Sequence, residues 1–280
     1  MKTIEFGFNI HRELPDVFGI IDDCFALSDI ILKNLEDRKI KQSELGRVQA
    51  IFLSNHYKAT ESLISAAKLA DAGLIGDLQT ICRKLLEQAI NLKYMSLDVE
   101  KRAPKFWYYS SIELKRMINY ILNNENYNNE LKASMREFIP EAKQAYERAI
   151  VHFEKESNGK ILKKYKTSWS GYNLSEMAEK CGLVDDYIYC YKIFSQRTHV
   201  KMGNLADYFD LHKESFGPTY QLSLAMKVLL EVLRLYLILT EFVIDSFKID
   251  LRRSIKSLRQ RINKLQGDPR LSDSTRITDL

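Results

Sequence analysis

Glycine supplies 11 and proline 5 of the 280 residues, about 4% and 2% against typical usage of roughly 7% and 5%. A sandwich or barrel needs many turns marked by these two residues, so their scarcity argues against an all-β fold. Cysteine is also sparse. Cys24, Cys82, Cys181 and Cys190 show no CxxC or CxxH spacing, which excludes a zinc finger and a disulfide scaffold. The five histidines, at positions 11, 56, 152, 199 and 212, have no metal-ligand spacing. There is no glycine-rich phosphate loop, no HExxH and no GxSxG, so neither a metal nor a cofactor is expected. Met1 to Asp22 carries acids and lacks the apolar stretch of a secretory signal, so the reducing cytoplasm is the expected location.

What is present is helical. With 45% hydrophobic and 28% charged residues the chain can build a packed core. Leu45, Val48, Phe52, Ala59, Leu63, Ala66, Ala67 and Ala70 form one stripe that ends at Gly73, a C-cap. Gly76-Asp77 opens a second helix with Leu78, Ile81, Cys82, Leu85, Ala89 and Leu92 on its apolar face. Pro104 precedes the aromatic run Phe106 to Tyr109, which leads into a helix through Ile121. Asn123 to Asn129 reads as a surface turn. Glu130 to Glu156 is helical, with Pro140 kinking it or starting a new segment. Ser157 to Tyr172 is irregular. Asn173 and Glu176 have capping-box spacing, a short helix reaches Cys181-Gly182, and a longer one spans Asp185 to Met202. Val228 to Ile244 is the most apolar window. The four charges in or just after it, Glu231, Arg234, Glu241 and Asp245, share one narrow stripe, which describes a core helix rather than a membrane span.

Charge is uneven along the chain. The total is +5. Lys248 to Gln266 holds seven basic residues and one acid, a net of about +6, so the body is close to neutral. In this stretch Leu251, Ile255, Leu258, Ile262 and Leu265 are spaced as an a/d seam, expected to pack on the body or on a second copy. The expected organisation is an N-terminal helical segment (1–44), a helical core domain (45–247), a basic heptad extension of the last helix (248–266) and a disordered tail (267–280). The expected fold is an all-α multi-helix bundle with a long C-terminal helix.

Several residues could carry chemistry. His56 lies within an apolar stripe, where it is either a hydrogen-bonded core histidine or a base facing an internal cleft. Arg83, Glu87 and Tyr94 share the face opposite the second helix's apolar stripe. They form either a solvated pair or the lining of a polar cavity with Arg83 holding an anion. Ser195 and His199 share one edge of the 185–202 helix, and Arg197 points away from His199. Arg252, Arg253, Lys256 and Arg259 are either a solvated flank or a phosphate-binding surface.

The order Arg83-Lys-Leu-Leu-Glu87, Asn91-Leu-Lys-Tyr94, Trp169-Ser-Gly171, Met177-Ala-Glu, Gly182-Leu and Tyr187…Tyr191…Ser195…His199 resembles an uncharacterised bacterial all-helical family, distantly similar to the HEPN-like proteins. Glu61 to Glu87 resembles the first helical hairpin of a HEPN domain. The resemblance, over about Leu45 to Tyr208, implies a HEPN-like core and a toxin or defence role. It implies metal-independent ribonuclease activity with His199, Arg83, Glu87, His56 and Ser195 as catalytic candidates. Many HEPN proteins use Arg-x(4–6)-His at a dimer cleft; one residue separates Arg197 from His199, so that motif is absent. The alternative reading is a non-catalytic helical module that self-associates or binds a nucleic acid or protein through its C-terminal helix.

Overall fold

The computed structural model describes residues 10–193, 209–210, 215–216 and 222–268. Along these the helices are α1 (Ile10–Glu13), α2 (Pro15–Asp37), α3 (Arg47–Asp71), α4 (Ile75–Ser96), α5 (Val99–Asn123), α6 (Asn129–Glu137), α7 (Ile139–Ile150), α8 (Leu174–Lys180), α9 (Val184–Asp186), a π-helical turn (Tyr187–Ile193), α10 (Leu222–Phe247) and α11 (Arg252–Gln266). The described strands, Phe209–Asp210 paired antiparallel with Ser215–Phe216, are two residues each. The fold is an all-α multi-helix bundle, as its periodicity and its lack of turn residues predict. Among the described residues, no helix is long and apolar enough to cross a membrane.

The chain divides into two compact units. One comprises the chain up to Leu92 and from Gly182 onward, the other Lys93–Cys181.

In the first unit, α10 is the hub, packing against α2, α3 and α11. It buries residues on every side, among them Leu229, Leu233, Leu237 and Val243, as befits a helix that is apolar nearly all round. Each enclosed leucine contributes about 1.5–3 kcal/mol. The charged stripe is fully employed. Glu231 pairs with Arg234, Glu241 with Arg259 at 2.6 Å, and Asp245 with Arg252 at 2.8 Å. The partners of Glu241 and Asp245 come from α11.

That arrangement differs from a continuous C-terminal helix. Lys248 takes φ 52°, and the amides of Lys248 and Ile249 bond back to the carbonyls of Asp245 and Ile244, closing α10 with a left-handed cap. α11 then starts afresh and lays Ile255, Leu258 and Ile262 into the body against α10 and α2. The heptad seam is thus filled within one chain. α2 ends in the same way, with Lys39 at φ 52°. Arg38 donates from its guanidinium to the carbonyls of Phe247 and Lys248, tying the two helix ends together. α3 closes with Gly73 at φ 71°, where glycine carries no steric penalty.

In the second unit, α5 begins before Pro104, capped by Asp98, whose carboxylate accepts from the Lys101 amide. Pro104 therefore sits inside the helix, where it removes the donor for one carbonyl but does not end it. Pro140 falls at the start of α7, dividing the Glu130 to Glu156 stretch as expected. The irregular stretch after α7 is held by Tyr165, whose ring is buried. Its hydroxyl donates to Glu154 Oε1 at 2.9 Å and accepts from Lys105 at 2.9 Å, and Arg116 donates to the carbonyls of Tyr165 and Lys166. Hydrogen bonds from Lys164, Tyr165 and Lys105 hold Glu154 down at about 2. Gly171, at φ 78°, admits no Cβ without pressing the Lys164 side chain. Asn173 and Glu176 form the expected capping box, at 3.0 and 2.7 Å.

Candidate functional site

After α8 comes Gly182, at a φ of 69°, a left-handed conformation that glycine adopts without steric penalty. The single turn of α9 passes directly into the π-helical turn, a wide and locally strained form that recurs at functional sites. Its inner side is pinned to α10. Arg234 donates from Nε to Glu231 Oε2 at 2.9 Å, and from Nη2 to Glu231 Oε1 at 2.6 Å and to Asp186 Oδ1 at 2.5 Å. Burial alone would lower the Arg234 pKa. The Glu231 hydrogen bond and the two carboxylate charges outweigh it, so the pKa is raised and the cation is secure. Cys190, fully buried, donates its thiol to Glu231 Oε1 at 3.5 Å and borders Cys82 of α4. The thiol pKa is pushed upward, first by the hydrogen bond to Cys82 and then by burial, so Cys190 is a packing group and not a nucleophile.

The outer side of the turn faces α4 differently. Arg83 pairs with Glu87 at 3.5 Å, with side-chain exposures of 25% and 42%. The Arg83 guanidinium lies 3.9 Å from the centre of the Tyr191 ring. Tyr191 in turn stacks on Tyr187, with centroids 4.9 Å apart and planes within 15°. Burial raises the Glu87 pKa against the lowering pull of Arg83, a perturbed carboxylate beside a partly open cation. One turn before Arg83, Gln79 is enclosed and its Oε1 has no donor among the described residues.

His56 stands apart from this group in character. It has no exposed surface. Nε2 lies 3.1 Å from Ser28 Oγ and Nδ1 lies 3.5 Å from Thr240 Oγ1. Thr240 spends its proton on the Tyr236 carbonyl at 2.9 Å, so Nδ1 is the donor and Nε2 accepts from Ser28. Burial lowers the His56 pKa to about 4, which keeps the ring neutral. The placement is that of a satisfied core histidine, with no path for a substrate to its nitrogens.

The remaining candidates divide. Ser195, Arg197 and His199 lie outside the described residues, as does the rest of the expected 185–202 helix beyond Ile193. Tyr94, at the end of α4, belongs to the second unit, where Arg102 lies over it and Trp169 and Tyr172 meet it edge-on. On α11, Arg252 and Arg259 are committed to acids of α10, and Arg261 pairs with Asp23. Arg253 and Lys256 are exposed with no ionic partner among the described residues. Reading the chain residue by residue missed the Arg234 clamp and the orphaned Gln79. Asp186 and Arg234 are far apart in sequence and carry no joint signal. Tyr187 and Tyr191 enter the sequence reading as part of the motif order that carries the family resemblance.

The sequence matches a family of unknown function, DUF5677, over residues 49–217. The chain belongs to this family. No curated protein and no solved structure matches it. The DUF5677 span takes in Gln79, Arg83, Glu87 and the whole π-helical turn, together with Ser195 and His199. It stops short of α10, so the Arg234 clamp, the Thr240 partner of His56 and the basic helix α11 are contributed by sequence beyond the DUF5677 match.

Proposed function

We propose that this chain is a HEPN-like protein of toxin or defence type that engages RNA beside the π-helical turn and cleaves it without a metal. In this reading Arg83 neutralises phosphate charge. Glu87, half-buried and raised in pKa, shares proton transfer with His199, while Ser195 positions the attacking group. His56 takes no part. The observation that carries the reading is the contact between Arg83 and Tyr191, which brings a partly open cation and a perturbed carboxylate onto the chain segment that continues to Ser195 and His199.

The test is incubation of the purified protein with total RNA in a chelating buffer. Cleavage by the wild type, lost in His199→Ala and reduced in Arg83→Ala, is the expected result. An intact RNA profile with wild-type protein rejects it.

A second, non-catalytic reading rests on α11. Its apolar seam is occupied within the chain, which leaves the outward cations Arg253 and Lys256 as the surface for a nucleic acid or acidic partner. Binding through phosphates there would weaken steeply with salt and lose slope in an Arg253→Gln/Lys256→Gln double variant.

A further inference from the structure

The π-helical turn joins α4 in a stack of flat groups. Arg83 rests on Tyr191, and Tyr191 lies nearly parallel to Tyr187. Tyr187 is partly exposed, and apart from Tyr191 no ring or cation among the described residues meets it, which leaves its second face without such a partner. We infer that this face receives an unpaired base of single-stranded RNA, as the next rung of the stack. The inference rests on the RNA reading above and names the form of RNA.

Three features favour a base over other occupants. Stacking on an aromatic face beside an arginine is the sequence-tolerant way proteins hold unpaired bases. Asp185, exposed two residues before Tyr187, disfavours a phosphate at this rung, so the contact is with the base plane and not with the backbone. The platform is also held rigid from behind. Asp186, the residue before Tyr187, is fixed by Arg234, and Cys190 is anchored on Glu231. A stacked base therefore needs little further ordering of the protein.

The contact makes a particular signature. Loss of a stacked base weakens binding about ten-fold, and because no phosphate is released the salt slope stays as it was. The experiment is fluorescence anisotropy of a short labelled oligoadenylate over a range of salt, with wild type, Tyr187→Leu and Tyr187→Phe, each checked for folding by circular dichroism. Support is an affinity about ten-fold weaker in Tyr187→Leu, an unchanged salt slope, and near-normal binding in Tyr187→Phe. Unchanged binding in Tyr187→Leu overturns the inference, as does equal loss in both variants or no binding by the wild type. A Tyr187→Leu protein that misfolds is replaced by Tyr187→Gln, judged by the same criteria. RNA cleavage dependent on His199 is scored separately: cleavage without a Tyr187 effect defeats only the stacking, and stacking without cleavage defeats only the nuclease reading.

Discussion

Two polar clusters in the same structural unit use similar residues to opposite ends. Around His56 every nitrogen and hydroxyl is matched, the ring is closed to solvent, and burial has stripped it of charge. Around Arg83 the cation is kept, the carboxylate is perturbed, Tyr191 stacks on Tyr187, and Gln79 Oε1 has no donor among the described residues. The first cluster is a core that happens to be polar. The second keeps a partly open cation beside an acceptor with no donor among the described residues. Completeness of hydrogen bonding separates a structural polar residue from a functional candidate better than residue type does.

The contrast can be broken most forcefully at His56. Replacing it with Ala opens a cavity and takes the Nε2 acceptor from the Ser28 hydroxyl, at a cost of roughly 3–5 kcal/mol in urea denaturation. The π-helical turn should keep its amide-exchange protection in the variant that remains folded.

A comparable effect follows from acid. The folded pKa of His56 is about 4 against an ordinary 6.5, so below 6.5 the unfolded chain takes up a proton that the folded chain refuses. The stability from the neutral ring is complete above pH 6.5 and is lost as pH falls toward 4, about 3 kcal/mol in all. Glu154, held at about 2, adds its own loss only lower, between about 4.5 and 2. A His56→Gln variant should flatten the upper window and leave the lower one in place.

At the other cluster, Arg234→Met leaves Glu231 buried without its cation. The expected cost is about 2–4 kcal/mol, somewhat below that of a fully enclosed pair because the arginine is a quarter exposed. Amide exchange in Tyr187–Ile193 should accelerate selectively. Equal acceleration throughout α10 would show that the clamp serves the core and not the turn.

The smallest change lies outside both clusters. Lys39→Gly and Lys248→Gly each relieve a left-handed residue and should stabilise by about 0.5–1 kcal/mol.

Helix periodicity made most of the fold legible. The α3 and α4 stripes, the capping box at Asn173 and the polar stripe on α10 could be read because each is a local repeat. The break at Lys248 could not, since lysine carries no signal for a left-handed turn and the heptad spacing of Leu251 to Leu265 runs on in register with a continuing helix. Pro104 misled in the opposite direction: its ring suggested a boundary that Asp98 capping and the packing of Ala103 and Tyr109 override. Of the site, Arg83 and Glu87 were legible from their i, i+4 spacing. His56 was ambiguous until Ser28 and Thr240, from distant helices, were seen to satisfy it. The π-helical turn had no sequence mark, and the Arg234–Asp186 bond that precedes it joins residues 48 apart.

The division of one compact unit between the two ends of the chain has a consequence for biosynthesis. The ribosome releases α2 and α3 early, but α10, their principal partner, emerges only after the whole Lys93–Cys181 unit has been made. The apolar stripe of α3 must wait unmatched through that interval, which invites chaperone capture and slow, long-range closure. In the inserted unit, the described hydrogen bonds of Tyr165 go to Lys105, Tyr109, Arg116 and Glu154, so this anchor is complete once Lys93–Cys181 has been made.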